Sequence, residues 1–77
     1  MDIALKITKE QVQGSVPVMM FHLRGWLDAQ SEEELLAAAR DAYDAGSRFL
    51  LIDLAEVDTL TSAGMRAMQK VYKIYTS

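Results

Sequence analysis

The sequence contains no cysteine, which excludes disulfides, thiolate chemistry and cysteine-ligated zinc. It has one histidine, His22, so a histidine-rich metal site is excluded as well. Basic residues are few: 8 Lys and Arg stand against 11 Asp and Glu, for a net charge of −3. No basic stripe is available to neutralise phosphates, which argues against a nucleic-acid-binding domain. Long apolar runs are also missing. Runs such as Val18–Phe21 and Phe49–Ile52 fall far short of the roughly 18–20 residues that a spanning helix needs. The first residues, Met1 to Lys6, lack the apolar core of a signal peptide, so a cytoplasmic protein or cytosolic module without direct membrane insertion is expected.

What remains is a chain of 77 residues, 51% hydrophobic, which suits one small domain folded by apolar burial alone. Ile3, Leu5 and Ile7 alternate with polar or small residues, the period of a half-buried strand. Lys9 to Ser15 reads as a loop or irregular hairpin, and Val16 to Arg24 as a second strand, with Met19, Phe21 and Leu23 on one face and Gly25 ending it. Ser31 and Glu34 fit a capping box at the head of a helix whose apolar stripe is Leu35, Leu36, Ala39, Ala42 and Tyr43. Gly46 suits a left-handed cap at its end. Phe49 to Ile52 reads as a strand covered on both faces, completing a βαβ unit. A polar connection, Asp53 to Thr61, leads into a second helix from Ser62, with Met65, Met68, Val71, Tyr72 and Tyr75 at helical spacing.

Few residues carry obvious chemistry. Asp53, Glu56 and Asp58 read as solvated carboxylates rather than as a cation site, and His22 as a structural histidine, so no metal or cofactor is expected. Met65 and Met68 read as core filling; Trp26 suits an exposed anchor and a buried cover equally. No acid–base pair or activated nucleophile suggests an enzyme. The segment Thr59–Met65 places hydroxyls where a helix begins and free amides favour an anion. Ser62 there reads as a cap when unmodified and as a tolerated site for added negative charge if phosphorylated.

Three segments in order add a resemblance. Leu23-Arg24-Gly25-Trp26-Leu27-Asp28 resembles the signature preceding the first helix of STAS domains, the family that includes bacterial anti-sigma factor antagonists. Leu50 to Val57 is similar to that family's buried strand and following loop, and Thr61-Ser62-Ala63-Gly64-Met65 to the Asp/Ser-Ser-x-Gly-Leu motif opening its next helix. The resemblance implies an α/β fold, a mixed sheet flanked by helices with an antiparallel first hairpin. It also implies that residues 1–77 form one STAS-like domain stopping before the family's last strand and helices. Those elements are then either missing from a fragment or supplied by another chain, and an unpaired sheet edge favours a homodimer or strand-exchanged oligomer.

The function implied is regulatory and non-enzymatic: binding an anti-sigma factor that is also a serine kinase, and releasing it on phosphorylation. Ser62 matches the acceptor position of the antagonists, with Thr61 an alternative acceptor where they commonly carry aspartate. Asp28, Asp53, Thr61, Ala63, Gly64 and Met65 are the expected partner-binding residues. The alternative implied by the same family is a cytosolic accessory domain of a membrane transport system.

Overall fold

The computed structural model describes residues 5–76, so Ile3 and Ala4 of the expected first strand lie outside the described residues. Strands β1 (Lys6–Val12), β2 (Val18–Leu27) and β3 (Leu50–Leu60) alternate with helices α1 (Glu32–Asp44) and α2 (Ser62–Thr76) in the order β1, β2, α1, β3, α2. The sheet order is β1-β2-β3. β1 pairs antiparallel with β2 from Lys6↔Arg24 to Val12↔Val18, and β2 pairs parallel with β3 from Met19↔Leu50 to Leu27↔Leu60. This is the mixed α/β architecture that the sequence implies.

Alternation assigns the faces. Leu5, Phe21, Leu23 and Leu27 are buried and join Leu35, Leu36 and Ala39 of α1 and Ala67 and Val71 of α2 in one core, with Ile52 and Leu54 packed against it. The other face carries Glu10, Met20, His22, Arg24 and Leu51, of which Met20 and His22 are half-buried and the others exposed. The expectation that Phe49–Ile52 is covered on both faces is therefore corrected: Phe49 and Leu51 are each 53% exposed. β3 is an edge strand whose apolar side chains split between a packed face and an open one.

Three element boundaries also differ from the sequence reading. β1 runs on through Lys9 to Val12, because an edge strand with exposed side chains tolerates polar residues. β2 continues through Gly25, whose φ of 102° lies beside a shift in register rather than at a stop. The supposed connection from Asp53 is strand as far as Leu60; register shifts at His22/Arg24 and Gly25/Trp26 break its alternation and hide it from a period-two reading.

The helices hold in outline. α1 buries Leu35, Leu36, Ala39 and Ala42 as expected. Its end is a full Schellman arrangement: Gly46, at φ 113°, donates to the Tyr43 carbonyl and Ser47 to that of Ala42. The capping box at its start is not formed. Ser31 Oγ makes no cap bond; it accepts the Asp28 N–H at 2.9 Å and donates to the Trp26 carbonyl at 3.0 Å, bracing the turn out of β2. On α2 the buried stripe is Gly64, Ala67 and Val71, whose small side chains let the helix approach closely. Met65 and Tyr72, expected in the stripe, are instead 57% and 70% exposed. Tyr75 meets Tyr43 edge-on at 5.3 Å between ring centroids, and Lys70 pairs with Glu32, fastening α2 to α1.

Candidate functional site

The end of β2 and the beginning of α2 meet at one corner. After Leu27 the chain turns through Asp28, whose Oδ1 accepts the N–H groups of Gln30 at 3.1 Å and Ser31 at 3.2 Å. This is an Asx turn, the habit of an aspartate that bonds its own backbone two residues on. Beside it, Thr61 N–H donates to the Leu27 carbonyl at 3.2 Å, so the strand end and the helix start share one peptide.

Thr61, not Ser62, caps α2. Its Oγ1 accepts the Gly64 N–H at 3.2 Å and its carbonyl accepts the Met65 N–H at 3.0 Å. That corrects the expectation that Ser62 serves as cap. Ser62 is the first residue of the helix, and its side chain is exposed. No acidic residue occupies the first turn of α2, so the positive end of the helix dipole is uncompensated from within the helix. Chemically, the corner offers an exposed hydroxyl beside a donor-rich helix start whose one hydroxyl cap is already engaged.

Asp28, Thr61, Ser62 and Ala63 line one shallow cleft together with Trp26, Ala29 and Gln30. Trp26, 37% exposed, and Leu60, 45% exposed, give the corner apolar surface, and Met65 lies one turn along. Trp26 is thus partly exposed at the corner rather than a fully buried cover. Gly64 is buried, and a Cβ built on it would fall 2.2 Å from the Leu27 carbonyl oxygen. Its role at the corner is to let the helix in. Ala29 and Gln30 escaped the sequence reading because neither carries distinctive chemistry; their place follows only from the turn that Asp28 makes.

Asp53 does not lie in this cleft. Six residues of β3 separate it from Leu60, roughly 20 Å of strand. There it accepts from His22, while Glu56 pairs with Arg24 at 3.0 Å. Asp53 and Glu56 of β3 thus face cross-strand bases on β2. Among the described residues, no group of three or more His, Asp or Glu side chains is arranged to hold a metal ion. None of the described helices is long and apolar enough to cross a membrane.

Comparison with known proteins agrees with this architecture. The family described as STAS domain matches residues 7–77. A crystal structure of an anti-sigma factor antagonist from Mycobacterium paratuberculosis is similar in fold, with a TM-score of 0.69 and 24% sequence identity. The likeness covers 88% of this chain and 57% of that one. No curated protein matches the chain.

Proposed function

The chain belongs to the STAS domain family, and we propose that within it the protein is a regulatory interaction module of the anti-sigma factor antagonist type, switched by phosphorylation at Ser62. The observation that carries this reading is the placement of Ser62: an exposed hydroxyl on the first residue of α2, relieved of capping by Thr61. A phosphoryl group added there meets the positive end of the helix and no acidic first-turn neighbour, so the fold tolerates it. The partner sees something different. About −1.5 to −2 charges arrive beside Trp26, Leu60 and Met65, where an apolar contact would have to desolvate them.

The partner class is an anti-sigma factor that is also a serine kinase. Asp28, Thr61, Ala63 and Met65 form the contact corner, with Trp26 as its aromatic anchor and Gly64 buried beneath it as the close approach that shapes it. Asp53 contributes only to a partner that also reaches the open sheet face. The module works by binding and release rather than by chemistry of its own.

The test uses a cognate kinase, with mass spectrometry of residues 59–66 and a binding assay. Ser62→Ala is expected to bind normally and escape phosphorylation at this site, and Ser62→Asp to weaken binding by about tenfold, some 1.4 kcal/mol. Phosphate found only outside this segment, or undiminished binding by the Ser62 phosphoprotein, overturns the reading. Phosphate on Thr61 keeps the switch and moves its residue.

Self-association is the second element of the proposal. Among the described residues no strand lies beside the outer edge of β3, and Leu50, Ile52, Met68, Val71, Tyr72 and Tyr75 line an apolar groove along it. A second copy pairing there satisfies the edge and covers the groove. Light scattering of the isolated chain is expected to show a dimer or larger species, with an unfolding midpoint that rises with protein concentration. A monomer with a concentration-independent midpoint contradicts it.

A further inference from the structure

The open face of the sheet carries an arrangement that the switch at Ser62 does not use. His22 sits at mid-strand on β2, between both outer strands. Its Nε2 lies 2.9 Å from Glu10 Oε1 on β1, and its Nδ1 lies 3.1 Å from Asp53 Oδ2 on β3. We propose that His22 is a proton-held clamp that ties both outer strands to the middle of the sheet, and that the protein loosens these ties as the ring loses its second N–H.

The argument begins with the inventory of the ring. An ionised carboxylate only accepts hydrogen bonds, so two carboxylates on opposite ring nitrogens require two N–H donors, which only the imidazolium has. The neutral ring keeps one N–H and turns a lone pair toward the other carboxylate. One strand then loses its tie. Because the carboxylates stand on opposite sides of the ring, they do not converge on one point, and the arrangement is a bridge rather than a metal site. Thr8 is the register partner of His22, Lys6 that of Arg24, and Arg24 pairs with Glu56 on the flank. Both helices pack on the opposite face, so among the described residues the charged groups near the ring come from β1, β2 and β3.

The titration follows in sign. Hydrogen bonds to Glu10 first and Asp53 second raise the His22 pKa above its ordinary 6.5. The Ala55 N–H and His22 together hold Asp53 below its ordinary 3.8. A raised histidine contributes stability that is fully present below pH 6.5 and lost as pH rises through the folded-state value. A lowered aspartate contributes stability present above 3.8 and lost as pH falls through its folded-state value. The clamp is therefore bounded on both sides. Its pairs are solvent-exposed, so salt weakens it.

His22 is the only histidine in the sequence, so its ring resonances in an NMR titration of the whole chain are unambiguous. The midpoint is expected above 6.5 in the native sequence, and lower in both Glu10→Gln and Asp53→Asn. A native midpoint at or below 6.5, or one that neither variant moves, overturns the proposal. The clamp itself is read from melting temperatures: the margin of the native chain over His22→Gln is expected to be present near pH 6 and gone near pH 9. A margin that stays flat across that range overturns the mechanical half, and the ring titration needs no variant to fold. Neither readout involves a partner or phosphate, so failure here and failure at Ser62 are separate results.

Discussion

Replacing Gly64 with alanine is expected to lower the melting temperature by about 10 °C or more, through a loss of roughly 2–3 kcal/mol. The added Cβ would sit 2.2 Å from the Leu27 carbonyl oxygen, 2.9 Å from its carbonyl carbon and 3.0 Å from Leu60 Cδ1. The first two atoms are backbone and have little freedom, because the same carbonyl accepts the Thr61 N–H. Relief requires α2 to move outward, which strains the Thr61 cap and uncovers Ala67, now fully buried. Helix propensity acts in the opposite direction, since alanine is favoured over glycine by about 1 kcal/mol inside a helix. The two effects thus compete with known signs. A Gly64→Ala protein that melts at or above the native temperature would mean that the approach of α2 to β2 is looser than described.

Phe21→Ala is expected to cost about 3–5 kcal/mol. Phe21 is fully buried on the central strand, between Leu23 and Met19 on the face that receives both helices. A domain of this length is stabilised by roughly 4–12 kcal/mol in all, at the usual contribution per residue. The variant therefore sits near or past the point of unfolding, and urea denaturation followed by circular dichroism should show a much reduced or absent transition. Phe49→Ala is the control. Phe49 is 53% exposed, so its replacement should stay within about 0.5 kcal/mol of the native chain. Similar losses at the two positions would contradict the assigned core.

The contrast between these phenylalanines shows what the sequence discloses. Phe21 lies in an alternating stretch, Met19-Phe21-Leu23, and its face can be read directly. Phe49 opens a continuous apolar run, which does not distinguish a strand covered twice from an edge strand covered once. The answer depends on what packs outside β3, a tertiary matter. The polar half of β3 was illegible for a related reason: its two register shifts displace side chains from strict alternation, so the sequence looks like a loop where the chain is strand.

The candidate site was legible in part. The Thr61–Met65 motif located the corner, but the division of labour between neighbouring hydroxyls depends on where the first helical residue falls, which sequence patterns give only to within a residue or two. His22 was less accessible still. Its partners stand 12 and 31 residues away, and only the pairing of three strands brings them to one ring.

The corner where Thr61 joins Leu27 also bears on how such a chain can change over generations. Position 64 admits no side chain, because the helix rests on the strand there. Position 62, two residues earlier, points outward and bears none of the packing. Mutational drift is therefore closed at one position and open at the other. New surface chemistry can be accommodated around Ser62 while the scaffold stays as it is, so exposed chemistry and foldability are free to evolve at separate rates within a single turn of helix.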